Sequence, residues 1–143
     1  MKTVVPDASV ILKWVLPDPE GEWDMANALA LRDAVMQGRI IAKVPSLWLY
    51  ETGNTLTRRF GKHARVALEA LMAFGLDESG TSERWLDQVL QLTQHYQVTF
   101  YDAAYHALAL TEKGVFVTAD ETYLRKAGKA GAVMALREWS GPE

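Results

Sequence analysis

Four acidic residues far apart in the chain, Asp7, Glu51, Asp102 and Asp120, have the side-chain type and the sequence surroundings for metal-assisted hydrolysis. Asp7 follows Thr3-Val4-Val5-Pro6, a β-branched run without alternation, as expected of a strand covered on both faces in a parallel sheet. Pro6 lacks an N–H and is expected to release the chain from the sheet just before Asp7. Asp120 follows Val115-Phe116-Val117-Thr118 in the same manner, and Asp102 ends the β-favouring run Val98-Thr99-Phe100-Tyr101 at the head of an Ala- and Leu-rich helix. Glu51 shares a helical row with Asn54, Thr55 and Arg58, spaced i, i+3, i+4 and i+7. Ligands of open α/β sheets bind beyond the carboxyl ends of the strands, so if the strands are neighbours all four acids converge at one edge. Taken singly, Asp7 and Asp102 fit equally well as helix caps, and Glu51 as part of a solvent-facing row.

Convergent carboxylates need a cation. Two unit charges ~4 Å apart repel by about 4 kcal/mol at an effective dielectric near 20, so a bare cluster should take up protons or loosen. Mg²⁺, or Mn²⁺ in its place, takes oxygen ligands and keeps waters, which leaves room for a phosphate oxygen and an attacking water. Whether one ion or two act stays open. Ser9, Asn54 and Thr118 are placed to orient ligands or waters around the acids.

Other chemistries are excluded or weaker. With no cysteine, thiolate zinc sites, thiol nucleophiles and iron–sulfur clusters are excluded, and a reducing, cytoplasmic setting is expected. His63, His95 and His106 form no H-x-x-x-H pair. His106 lies one turn beyond Asp102, yet on so apolar a helix it is expected to be packed and hydrogen-bonded. Phosphate-loop, dinucleotide-loop and nucleophile-elbow motifs are lacking.

The elements that must position the acids are legible along the chain. At 143 residues it fits one domain, 1–143, with no linker or low-complexity tract and no apolar stretch long enough for a membrane span. After the first strand a short helix runs over 9–15 and Pro17 closes it. Asp18-Pro19 starts the next helix and Gly38 caps its end. Strand 40–44 precedes helix 47–60, whose stripe Leu49, Gly53, Leu56 and Phe60 should let a neighbouring backbone approach at Gly53. Helix 64–74 follows, then a short edge strand within 76–82, and a helix capped by Ser82 with Trp85, Val89, Leu92 and Tyr96 on one side. The helix after Asp102 ends at Gly114, strand 115–118 precedes helix 121–129, and a weak last strand falls within 131–136. The net charge of −3 argues against a broadly basic nucleic-acid surface, although Arg58, Arg59, Lys62, His63 and Arg65 form a local basic run.

In order along the chain, Val4-Val5-Pro6-Asp7-Ala8-Ser9-Val10 with Lys13-Trp14, Glu51-x-x-Asn54, Tyr101-Asp102-Ala103-Ala104-Tyr105 and Val117-Thr118-Ala119-Asp120 resemble the acidic motifs of PIN-domain ribonucleases. Within that family the chain looks most like the VapC-type toxins of type II toxin–antitoxin modules. The resemblance covers nearly the whole length. It implies a three-layer α/β/α fold around a parallel sheet, Mg²⁺- or Mn²⁺-dependent endonucleolytic cleavage of RNA, a homodimer and a cognate antitoxin. By motif position it makes Asp7, Glu51, Asp102 and Asp120 the catalytic acidic quartet, with Asp7 and Asp102 as direct metal ligands. Arg58 and Arg59 are candidates for contacts to RNA phosphates. Among the aromatics Trp14, Trp23, Trp48, Tyr50, Trp85 and Trp139, any left exposed would anchor a dimer partner or an antitoxin. Two other readings stand beside this one. Val5-Pro6-Asp7-x-Ser9 superficially resembles an aspartyl-phosphatase loop, with Ser9 where a second acid would be, and the fold could serve as a non-catalytic RNA- or protein-binding module.

Overall fold

The computed structural model describes residues 2–16 and 24–141. Pro17, the Asp18-Pro19 helix start and Trp23 lie outside the described residues. Five parallel strands form one sheet: β1 (Lys2–Pro6), β2 (Ile40–Pro45), β3 (Asp77–Ser79), β4 (Val115–Thr118) and β5 (Val133–Ala135), in the order β3-β2-β1-β4-β5. β1 is central, with Val4 beside Ala42 of β2 on one side and Val115 of β4 on the other. Val4 and Val5 are completely buried, as their unbroken β-branched run requires. The chain winds from β1 toward β2 and β3, then returns to the opposite side for β4 and β5. The strand order therefore reverses between β1 and β4, which opens a crevice at their carboxyl ends.

Helices α1 (Ala8–Lys13), α2 (Met25–Met36), α3 (Leu47–Phe60), α4 (Ala64–Ala73), α5 (Glu83–Tyr96), α6 (Phe100–Thr111) and α7 (Glu121–Ala127) cover the sheet and complete the three-layer α/β/α arrangement. α6 lies directly on β1, β2 and β4, and α5 packs along it. Its residues Ala103–Ala109 are buried without a break, since small side chains let the helix sit close to the strands. Among the described residues no helix is long and apolar enough to cross a membrane.

Four local expectations are corrected. β1 runs through Pro6, which pairs with Val117, and the Asp7 N–H still bonds to the Val117 carbonyl at 3.0 Å, so the chain leaves the sheet only after Asp7. At a strand's last residue the missing donor of proline costs little. The run Val98–Tyr101 forms no strand, because the Thr99 hydroxyl accepts the Asp102 N–H at 3.1 Å and starts α6 at Phe100. The fully buried row of α3 is Trp48, Thr52 and Leu56, with the Thr52 hydroxyl donated to the Trp48 carbonyl at 2.8 Å. At Gly53 no backbone approaches; a Cβ there would meet the Leu68 side chain at an ordinary 4.0 Å.

Candidate active site

Asp7 stands at the N-cap position of α1 in extended conformation (φ −71°, ψ 158°), but its side chain makes no capping hydrogen bond. Its Oδ2 instead accepts the Thr118 hydroxyl at 2.7 Å and the Ser9 hydroxyl at 3.1 Å. Thr118, the last residue of β4 and fully buried, also accepts the Asp120 N–H at 3.0 Å. One hydroxyl thus ties the ends of β1 and β4 together across the crevice. Asp120 does act as a cap: its Oδ1 accepts the Tyr123 N–H at 3.1 Å at the start of α7.

Glu51, partly buried on α3, accepts the hydroxyl of Tyr105 on Oε1 at 2.6 Å. Tyr105 is completely buried and stacked on Phe116 of β4. Asp102 lies in the first turn of the same helix and leaves the capping of α6 to Thr99. α6 therefore carries one acid of the set and the support of another. Sequence reasoning missed Tyr105, although a lone phenol three residues past Asp102 in an Ala-rich run was a usable signal.

The acids act on one another through charge. Burial, above all, raises the proton affinity of Asp7; the Thr118 and Ser9 hydroxyls oppose this and the negative charge of Asp102 adds to it. Glu51 is raised by burial, opposed by the Tyr105 hydrogen bond, and raised further by Asp7 and Asp102. Asp102 is raised by burial and by Asp120, and lowered by Thr99 and Lys126. The set is electrostatically continuous from Glu51 to Asp120. Among the described residues, however, no group of three His, Cys, Asp or Glu side chains is gathered to hold a metal ion as it stands. The donor set itself suits a hard divalent cation: it is all oxygen, and its members resist sharing negative charge.

The remaining candidates separate clearly. Asn54 is exposed, and among the described residues no hydrogen bond joins its side chain to the acids, whereas Ser9 and Thr118 both donate to Asp7. Arg58 and Arg59 are exposed in the last turn of α3, about two turns or ~10 Å along the axis from Glu51. His106 is fully buried, with Nε2 2.7 Å from the Gly131 carbonyl and Nδ1 2.7 Å from the Tyr123 hydroxyl. A carbonyl only accepts, so Nε2 carries the hydrogen and Nδ1 accepts from Tyr123. Burial lowers the proton affinity of this ring, which is a neutral core group, as expected from its apolar helix. Of the aromatics, Trp14, Trp48 and Trp139 are buried, Trp85 is partly buried, and Tyr50, beside Glu51, is 75% exposed.

The same fold occurs in solved structures. The crystal structure of PAE2754 from Pyrobaculum aerophilum superposes with a TM-score of 0.65 at 22% identity, over 94% of this chain and 90% of that one. The crystal structure of FitAcB from Neisseria gonorrhoeae gives a TM-score of 0.66 at 14% identity, over 94% and 99% of the two chains. A structure of FitAB bound to an IR36 DNA fragment gives 0.63 at 13% identity, over 96% and 98%. No curated protein matches the chain in sequence. The family model for the PIN domain matches residues 4–129, a span that contains all four acids, and the chain belongs to the PIN domain family.

Proposed function

We propose that this protein is a divalent-metal-dependent endoribonuclease and the toxin of a type II toxin–antitoxin module. The observation that carries the reading is geometric: the Thr118 hydroxyl ties the Asp7 carboxylate to the Asp120 backbone at the crevice between β1 and β4, while α6 carries Asp102 in its first turn and bonds Glu51 through Tyr105. The raised proton affinity of Asp7, Glu51 and Asp102 agrees with it. Asp7 and Asp102 would hold Mg²⁺ or Mn²⁺ directly, with Glu51 and Asp120 completing the set; the partial exposure of Glu51 and Asp102 leaves their side chains room to rotate toward an ion. Such an ion, when bound, supplies the positive charge against which phosphodiester hydrolysis builds up negative charge.

The chain's own residues do the positioning. Thr118 and Ser9 hold Oδ2 of Asp7 from one side, and Tyr105 holds Glu51 from beneath. Arg58 and Arg59 offer exposed positive charge further along α3 for phosphates of the strand. The aspartyl-phosphatase alternative is disfavoured, because Ser9 stands where that scheme needs its second acid to protonate the leaving group. PIN relatives lead us to propose a homodimer and an antitoxin partner as well, in line with the likeness to FitAB and FitAcB.

The test is cleavage of labelled RNA. The parent cuts with Mg²⁺ or Mn²⁺ and stops with EDTA, and Asp7→Asn loses at least ~10²-fold of the rate. Equal cutting by Asp7→Asn would remove Asp7 from the site, and no cutting by the parent under any divalent metal would remove the ribonuclease reading.

A further inference from the structure

A cavity of about 400 Å³ opens at the carboxyl ends of β2 and β3, between β3 and the first turns of α3 and α6, with none of the four acids in its lining. That size lies in the range of small-molecule sites and suits a planar group. Trp85, Phe100 and Tyr101 line it. The Trp85 N–H is already donated to the Ala104 carbonyl at 3.1 Å, which fixes the indole so that it offers the cavity an apolar surface. Phe100 meets Trp85 edge-on at 5.9 Å, yet Phe100 is 47% and Tyr101 65% exposed, two neighbouring rings left uncovered just ahead of Asp102.

The polar lining narrows the occupant. Glu78 contributes a carboxylate whose Oε2 accepts the Trp48 indole N–H at 3.3 Å, and among the described residues no lysine or arginine lines the cavity. A phosphate would be repelled there. An uncharged heterocycle with N–H donors on its edge would be held by stacking on the rings and hydrogen bonding to Glu78.

We propose that this cavity receives one unpaired nucleobase of the RNA strand, stacked on Phe100 and Tyr101 with its amino edge toward Glu78. The inference rests on the ribonuclease reading above and adds a base preference to it. Adenine, cytosine and guanine present an exocyclic amino group to the carboxylate. Uracil presents a single edge N–H flanked by carbonyl oxygens, which the carboxylate repels, so uracil is the disfavoured base. Tyr101 and Asp102 both lie in the first turn of α6, so the base would be held at the same end of that helix as one of the acids.

The experiment measures binding of fluorescent single-stranded oligoadenylate and oligouridylate to the full chain in EDTA, so that the readout does not depend on cutting. The parent should bind oligoadenylate more tightly, Phe100→Leu and Tyr101→Leu should each weaken it about tenfold, and Glu78→Gln should abolish the preference while oligouridylate binding persists. These side chains are exposed, so the variants keep the fold. Unchanged affinities, no binding by the parent, or variants that alter the oligomeric state in sedimentation and leave RNA binding intact would each overturn the proposal, the last by assigning the rings to a second copy. Base-selective binding by a parent that cuts no RNA would leave this site standing and remove the ribonuclease reading. Cutting by the parent with the affinities of all three variants unchanged would do the reverse.

Discussion

Thr118 donates its hydroxyl to Oδ2 of Asp7 over 2.7 Å, joining residues 111 positions apart, and its own Oγ1 accepts the N–H of Asp120. The carboxylate at the end of β1 is therefore oriented by the strand beside it. Thr118→Val keeps the shape of the buried side chain and deletes the hydroxyl. It should cost about 1–3 kcal/mol of stability, because the Asp120 N–H loses its partner and Asp7 loses a donor. RNA cleavage should fall roughly tenfold, a loss of about 1.4 kcal/mol in transition-state stabilisation. Ser9→Ala, removing the longer of the two bonds at 3.1 Å, should do less on both counts. Urea denaturation and single-turnover cleavage check the ranking, and a larger effect at Ser9 would reverse the roles.

Tyr105→Phe tests the support of Glu51. The ring stays stacked on Phe116 and only the 2.6 Å hydrogen bond is lost. That bond favours the charged carboxylate and lowers its proton affinity, so its loss raises Glu51 further. The acidic limb of the pH–rate profile should therefore move to higher pH, with the rate recovering when the pH is raised. A uniformly lower rate with an unmoved limb would mean that Tyr105 serves packing alone.

Metal-free protein should gain stability when an acid is neutralised. Asp7, Glu51 and Asp102 have proton affinities raised on folding, so the folded state holds protons that the unfolded chain releases. Stability from these groups is full below their ordinary range near 4 and is lost as the pH rises through their raised values. In EDTA at pH 7, Asp102→Asn should melt roughly 2–5 °C above the parent, and the gap should close near pH 4. Adding Mg²⁺ should raise the parent's melting temperature more than the variant's, since an ion that binds only the folded acids stabilises by mass action. Equal shifts would count against Asp102 as a ligand.

Gly114 and Gly53 should respond in opposite directions to alanine. A Cβ at Gly114 would lie 2.7 Å from the Thr3 carbonyl oxygen, where the chain leaves α6 and enters β4 against β1. Gly114→Ala should cost about 1–3 kcal/mol through that clash. Gly53, inside α3 with only Leu68 at 4.0 Å, has room, and Gly53→Ala should stabilise by up to about 1 kcal/mol from helix propensity. Urea midpoints for the two variants decide the matter.

The sequence by itself determined the order of elements and the positions of the four acids along it, because β-branched runs, capping residues and helical spacing are local signals. The runs Val4-Val5 and Val115–Thr118 and the helix Leu47–Phe60 were readable for that reason. It could not say which acids serve as caps. Asp7 and Asp120 look alike in sequence, yet only Asp120 caps its helix through its side chain, since the Thr118 and Ser9 hydroxyls take the carboxylate of Asp7. Nor could it foresee that Tyr105 holds Glu51 across 54 positions, or that Phe100, Tyr101 and Glu78 border one cavity. Those relationships depend on β4 lying beside β1 and α6 lying across both, and strand order is decided by long-range packing that no local run of residues encodes.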